Sequence, residues 1–270
     1  MADMRVGIVG AGGKMGQMLI ETVHATPGVA LAGASERPGA PLVGKDAGET
    51  AGVGALGVVI TDDAEALFQS VDVVIDFTVP AATAAHADLA ARHNTALVVG
   101  TTGLSDEQTQ ALRNAAARVP VIFAPNMAVG VNLLFALTQQ VAAILDERFD
   151  IEIVEMHHRR KIDAPSGTAL GLGRAAAAGR GVDLATVAQR ARDGHTGARN
   201  PGDIGFAVLR GGDVVGDHTV VFAGMGERIE LTHKASSRQI YADGAVRAAL
   251  WTAGKAPGLY GMNDVLGLKL

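Results

Sequence analysis

The segment Glu155-Met156-His157-His158-Arg159-Arg160-Lys161-Ile162-Asp163-Ala164-Pro165-Ser166-Gly167-Thr168-Ala169 concentrates the titratable chemistry of the chain. Every residue from His157 to Lys161 is cationic or can take a proton, in a protein of formal net charge -5. Such a cluster suits a small anionic substrate, and the ~6.5 reference pKa of histidine suits proton transfer near neutrality. Ser166-Gly167-Thr168 stands where an apolar helix begins. Backbone N–H groups and hydroxyls there can meet a carboxylate, or the serine can simply cap the helix. One histidine of the pair can equally be the satisfied partner of a carboxylate such as Glu155. Successive side chains of a strand point to opposite faces, so His157 and His158 do not converge on one metal. With no third ligand spaced nearby, no metal is expected. Ser166 lacks the Gly-x-Ser-x-Gly elbow of a hydrolase nucleophile.

A second constellation opens the chain. Val6-Gly7-Ile8-Val9 runs into Gly10-Ala11-Gly12-Gly13-Lys14-Met15-Gly16, a strand, a glycine turn and a helix start. Such a turn brings backbone N–H groups close to a pyrophosphate, although the Gly-x-Gly-x-x-x-Gly spacing is one residue longer than the usual fingerprint. A phosphate loop of the magnesium-dependent kind fails because Lys14 is followed by Met15 rather than a hydroxyl residue. Glu36-Arg37 follows the second strand, 20 residues beyond Gly16. The acid can accept from adenosine ribose hydroxyls and the arginine can meet a 2′-phosphate, so NADPH and NADH are both expected cofactors. The alternative is a solvated charge pair before the Pro38-Gly39 turn. Gly100-Thr101-Thr102-Gly103 and Ala124-Pro125-Asn126-Met127 follow further strands and are placed to line a nicotinamide.

These residues need a frame that holds them. Through the first half, short β-branched runs alternate with alanine-rich stretches, the pattern of a parallel sheet with crossover helices. Strands are expected at Arg5–Val9, Val29–Ser35, Val58–Ile60, Val71–Asp76, Ala96–Val99 and Val121–Ala124. Helices are expected at Met15–Ala25, Asp63–Phe68, Ala81–His93 and Asp106–Arg118. The consecutive apolar positions within Val71–Ile75, after Asp72, and in Ala96–Val99 suit strands covered on both faces, which makes the sheet doubly wound and Rossmann-like. After Asn126 come a long apolar helix, Val131–Leu145, and a strand, Asp150–His157. Three strands close in sequence follow, Ile204–Arg210, Val214–Ala223 and Arg228–Ala235, with turn signals at Gly211-Gly212-Asp213 and Gly224-Met225-Gly226. Tight turns imply antiparallel neighbours, hence a second α+β domain with a mostly antiparallel or mixed sheet. The expected division is 1–128 for the dinucleotide and 129–238 for the substrate. A final helix, Ala242–Gly254, and the tail to 270 pack back onto the first domain. Residues 181–202 are polar and carry no clear pattern.

Composition narrows the classes further. The 270 residues suit two domains of ordinary size. The 35 glycines are not periodic, and hydrophobic residues make up 48%, which excludes collagen-like and disordered chains. Without cysteine there is no disulfide, thiolate metal site or sulfur nucleophile. No Lys/Arg-rich run offers a footprint for nucleic acid. No apolar stretch reaches the ~18 residues of a membrane span, and no leader pattern precedes Val6. A soluble cytoplasmic protein is therefore expected.

The run Glu-x-His-His-x-x-Lys-x-Asp-Ala-Pro-Ser-Gly-Thr-Ala from Glu155 to Ala169 resembles the signature of the 4-hydroxy-tetrahydrodipicolinate reductase family, also known as dihydrodipicolinate reductase. The resemblance extends to Gly10–Gly16, Asp76-Phe77-Thr78, Gly100–Gly103, Gly194-His195-Thr196-Gly197 and His233-Lys234-Ala235-Ser236-Ser237-Arg238. It implies NAD(P)H-dependent reduction of a cyclic dicarboxylate, formed from pyruvate and aspartate semialdehyde, to tetrahydrodipicolinate on the diaminopimelate route to lysine. It further implies His157 as proton donor or acceptor, His158 as substrate ligand and Lys161 as second proton donor. Gly167 and Thr168 would cradle a substrate carboxylate, and Arg238 would meet a carboxylate too. Gly10, Ala11, Gly12, Gly13, Lys14 and Met15 would hold the pyrophosphate, Glu36 the ribose and Arg37 the extra phosphate of NADPH. Gly100, Thr101, Thr102, Ala124, Pro125, Asn126 and Met127 would surround the nicotinamide. The resemblance also implies a homotetramer built through the second domain's sheet. It departs at Ala128, where the family pattern has serine, which bears on a hydrogen bond near the domain junction. Two rivals remain, another two-domain NAD(P)-dependent amino-acid dehydrogenase and a non-catalytic NAD(P)-sensing protein.

Overall fold

The computed structural model describes residues 3–268. In chain order the first elements are β1 (Met4–Val9), α1 (Lys14–Ala25), β2 (Val29–Ser35), α2 (Ala47–Ala51), β3 (Ile60–Thr61) and α3 (Ala64–Ser70). They are followed by β4 (Val73–Asp76), α4 (Pro80–His93), β5 (Ala96–Val99), α5 (Asp106–Ala116) and β6 (Pro120–Phe123). Then come α6 (Val129–Ile144), β7 (Asp150–His157), α7 (Gly167–Arg180), α8 (Leu184–Val187), β8 (Ala188–Gln189), β9 (Ile204–Arg210), β10 (Gly216–Gly224) and β11 (Glu227–Ala235). The chain closes with α9 (Gln239–Trp251), β12 (Gly258–Tyr260) and α10 (Met262–Leu266). They form two compact units, one ending at Ala128 and resuming over Gln239–Gly267, the other spanning Val129–Arg238. The expected division ran over 1–270, of which 1, 2, 269 and 270 lie outside the described residues.

The first unit is a sheet of order β12-β6-β5-β4-β1-β2-β3 whose strand pairs are all parallel. It is covered on both faces. Val6, Ile8, Val73, Ile75 and Val98 pack with Leu19, Ile20 and Val23 of α1 and Ala245 and Val246 of α9. The alternate residues Val9, Val74, Leu97 and Val99 pack with Phe68 of α3, Ala87 and Ala90 of α4 and Leu112 of α5. This alternation is why β4 and β5 read as unbroken apolar runs. From β1 the chain winds outward through β2 to β3, then crosses to β4 on the other side of β1. The strand order thus reverses between β1 and β4, the place where open α/β sheets take ligands beyond their carboxyl ends.

The second unit is a mixed sheet of order β11-β10-β7-β9-β8, with α6 and α7 against one face. Here one expectation is corrected. β10 and β11 form an antiparallel hairpin, but β9 and β10 do not pair, because β7 lies between them, parallel to β9 and antiparallel to β10. Gly211-Gly212-Asp213 is a crossing rather than a hairpin turn. It passes over the end of β7, where Gly211 N–H donates to His157 O at 3.0 Å and His158 N–H to Val214 O at 2.7 Å. Strands are about 4.8 Å apart, so the five residues from Gly211 to the start of β10 at Gly216 have ample reach for a two-strand span. The segment without a clear pattern, 181–202, holds α8 and β8 and then an irregular stretch. Arg192 and Arg199 clamp that stretch to Glu152 on β7, at 2.8 and 2.9 Å.

Candidate active-site regions in the two units

In the first unit, the residues expected to hold a dinucleotide follow β1, β2, β5 and β6. All four strands are parallel, so the residues share the carboxyl edge of one sheet. Gly10 has φ +69°, a left-handed conformation that suits glycine. A Cβ on Gly16 would collide with the Gly10 carbonyl oxygen, so the first turn of α1 closes directly onto the loop. Gly13 caps α1 without a side-chain bond, and no acidic residue occupies the first turn. Those N–H donors and the helix dipole favour an anion there. Glu36 accepts from Gly12 N–H and Arg37 N–H, each at 2.9 Å, which pins the carboxylate between the glycine loop and the end of β2. Lys14, Arg37 and Thr102 are exposed. Ala11, Thr101, Ala124 and Met127 are at most 4% exposed, and the Ala11 and Ala124 N–H groups donate to Ser35 O and Val99 O. Asn126 Oδ1 accepts from Ala128 N–H at 2.9 Å, so the alanine keeps a local bond at its amide. The close approach and the donors fit a dinucleotide.

In the second unit, β7 alternates strictly, with Ile151, Ile153, Glu155 and His157 on its buried side. Glu155 is 1% exposed and gathers four donors. His157 Nδ1 lies 2.6 Å from Oε2, Arg210 reaches the two oxygens at 2.8 and 3.0 Å, and Ser166 N–H donates to Oε1 at 3.0 Å. Burial opposes its charge, yet the Arg210 and His157 hydrogen bonds hold the Glu155 carboxyl below its ordinary value. An ionised carboxylate only accepts, so the proton of neutral His157 sits on Nδ1 and a lone pair on Nε2. Burial pushes the His157 imidazole below its ordinary value, the Lys161 and Arg210 charges act the same way, and Glu155 resists. At neutral pH Nε2 is therefore a base.

Around that pair, Lys161 Nζ meets Asp163 Oδ1 at 2.8 Å, which holds the Asp163 carboxyl below the usual range. Ser166 caps α7, its Oγ accepting from Ala169 N–H at 3.1 Å, and Gly167 and Thr168 are the first residues of that helix. Ser166 Oγ also lies 3.0 Å from His218 Nε2. His218 is 4% exposed, and its ring stands edge-on to His157 at 5.0 Å between centroids. Burial, reinforced by His157, pushes its imidazole down to about 4, so it is neutral at pH 7 and shares one hydrogen bond with the serine hydroxyl. His158 is half-buried beside this group, its amide committed to Val214 O. Thus His157, Lys161, Gly167 and Thr168 come together, and the alternative of a carboxylate-paired histidine is met by the same residue. Arg238 is exposed at the end of the unit. No group of three or more potential ligands among the described residues could hold a metal ion.

Sequence reasoning missed Arg210, His218 and the buried partners of Asp76. The first two sit directly opposite His157 and Glu155 in the strand register. That adjacency exists only once β7 is known to lie between β9 and β10.

Comparison with known proteins gives the family. Residues 4–127 match the family model for the dihydrodipicolinate reductase N-terminus, and 130–266 match that for its C-terminus. A Magnetococcus marinus protein named 4-hydroxy-tetrahydrodipicolinate reductase is 57% identical over 98% of this chain and 99% of its own. One of the same name from Rhodopseudomonas palustris is 56% identical over 99% of both. The solved structure of a dipicolinate-bound dihydrodipicolinate reductase from Paenisporosarcina sp. TG-14 superposes with a TM-score of 0.77 at 27% identity, covering 97% of this chain and 99% of that one. An amine dehydrogenase from Mycobacterium smegmatis shares the fold, with a TM-score of 0.63 at 15% identity over 100% of this chain and 98% of its own. The chain belongs to the dihydrodipicolinate reductase family.

Proposed function

We propose that the chain reduces 4-hydroxy-tetrahydrodipicolinate to tetrahydrodipicolinate, with loss of water, on the diaminopimelate route to lysine, using NADPH or NADH. The observation that carries the reading is the Glu155–Ala169 segment, which brings a carboxylate-oriented imidazole, an ammonium and a helix N-terminus together. A non-catalytic NAD(P) sensor has no use for that proton machinery, and another amino-acid dehydrogenase would carry a different segment there. When bound, the dinucleotide supplies a hydride. Gly10 to Met15 hold its pyrophosphate and Glu36 its ribose, and Arg37 meets the 2′-phosphate. Gly100 to Thr102 and Ala124 to Met127 bound the nicotinamide.

The second unit's residues manage charge and protons. Gly167 and Thr168, at the positive end of α7, receive a substrate carboxylate, with His158 and Arg238 as further ligands. Water leaves the hydroxylated ring first, its oxygen taking a proton and the adjacent carbon losing one, and hydride arriving on the resulting conjugated imine pushes electron density toward the ring nitrogen. The Lys161 ammonium stabilises that charge and delivers a proton. His157 exchanges a proton at Nε2 while Glu155 fixes the ring and balances the imidazolium. This division of roles goes with a substrate domain at 129–238, a homotetramer built through its sheet and a cytoplasmic location. No helix among the described residues is long and apolar enough to cross a membrane. The test is a coupled assay containing the chain, the upstream synthase, pyruvate, aspartate semialdehyde and NADPH, read at the nicotinamide absorbance. Synthase-dependent oxidation is expected; no oxidation of NADPH or NADH would overturn the reading.

A further inference from the structure

Asp76 ends β4 beside the strand-order reversal and is 0% exposed, in a run whose other residues, Val73 to Ile75, are equally buried and apolar. Its Oδ1 accepts from Thr78 N–H at 2.8 Å, Thr78 Oγ1 at 2.6 Å and Thr101 Oγ1 at 3.3 Å. Its Oδ2 faces His86 Nδ1 of α4 at 2.8 Å. Thr101 Oγ1 in turn accepts from Thr83 Oγ1 at 2.9 Å. The Thr78 methyl lies 2.8 Å from where a Cβ on Gly10 would stand, so the β4 loop abuts the glycine loop. One carboxylate therefore touches the β4 loop and the Gly100–Gly103 loop, and through Thr78 it backs the loop after β1. Burial opposes its charge, but the His86 and Thr78 bonds outweigh it and hold the carboxyl below the usual range. Being ionised, it only accepts, so the hydroxyl protons of Thr78 and Thr101 both point at it and both rotamers are fixed.

An ionised group in the apolar wall of a sheet is a poor source of stability, since a hydrophobic residue of similar volume is often as good or better. What a fully satisfied buried network contributes is one defined arrangement of the parts it joins. We propose that Asp76 is a positioning residue for the dinucleotide, locking the three loops at the carboxyl edge of β1, β4 and β5 in register with one another and so setting cofactor affinity. The inference rests on reading that edge as the dinucleotide site. His86 acts through Asp76 rather than on the reaction.

The test uses the full chain, titrated with NADPH and NADH by nicotinamide fluorescence, with steady-state kinetics in parallel. Asp76→Asn should raise both dissociation constants about tenfold, while kcat at saturating cofactor and the substrate KM stay within about twofold. His86→Gln keeps an N–H donor and should bind cofactor within about threefold of wild type, whereas His86→Leu should lose about tenfold. Should Asp76→Asn fail to fold, Thr78→Val removes the 2.6 Å hydroxyl tie while keeping the branched shape and should raise the constants about threefold. Unchanged cofactor affinity in the folded variants, or a fall in kcat at saturating cofactor with affinity intact, would overturn the proposal. The titration needs no turnover, so failure of the reduction assay is read separately from failure here.

Discussion

The two candidate regions use different materials. In the first unit Ala11, Ala124 and Met127 are turned into the core, and the ligand edge is presented by N–H groups, glycines and the start of α1. In the second unit the site is made of side chains drawn from β7, β9, β10 and α7: Glu155, His157, Arg210, His218 and Ser166. A site built mainly of backbone holds a large ligand of fixed shape, with side chains such as Glu36 and Arg37 meeting it at one end. A site of coupled ionisable groups moves protons, and each member depends on its neighbours. Affinity for the dinucleotide should therefore fail separately from turnover.

His157→Gln should break that comparison most clearly. Loss of the base should lower kcat by roughly 100- to 10,000-fold with cofactor affinity unchanged; a pure rise in the substrate KM would remove His157 from the proton chemistry. The converse variant lies in the first unit. Arg37→Ala should weaken NADPH binding by about tenfold or more and NADH by less than about twofold, because only NADPH carries the 2′-phosphate. Equal losses in fluorescence titrations would make Arg37 structural.

Glu155→Gln tests the coupling within the second unit. Glu155 raises the His157 pKa against burial, so removing its charge should shift the limb of the pH–kcat profile that reports His157 to lower pH. The variant should also lower kcat about tenfold. A merely structural role would leave that limb in place. The smallest effect concerns stability. His157, His218 and His233 are all held below the ordinary histidine value, with burial as the leading cause in each. Over the window from ~6.5 down to about 4 for His218, the unfolded chain binds more protons than the native one, so stability rises with pH. Melting temperatures should therefore fall as pH drops from about 6.5, and fall less steeply in His218→Phe. A flat profile would contradict the buried neutral state.

The same contrast explains what the sequence revealed. The glycine loop is local: strand, turn, helix start and the acid at the end of β2 lie within one βαβ unit, and their spacing carries the chemistry. The apolar runs within Val71–Ile75 and in Ala96–Val99 are legible because both faces of those strands are covered. Arg210 and His218 were not visible, since their role depends on lying opposite His157 and Glu155 in the register. The turn glycines at 211 and 212 suggested a hairpin, yet they carry a crossing, because β7, far earlier in the chain, takes the central place. Asp76 was legible as part of a motif, but its hub of Thr78, His86 and Thr101 depends on long-range packing.

On the proposed function, the hydride that reaches the ring comes directly from the dinucleotide and not from solvent. Mass spectrometry of the coupled reaction with NADPH deuterated at the transferred position, in ordinary water, tests it most directly. The expected product is tetrahydrodipicolinate carrying one deuterium on a ring carbon, with no deuterium at that carbon when unlabelled NADPH is used in heavy water. Unlabelled product from labelled NADPH, or label at that carbon from heavy water, would contradict it.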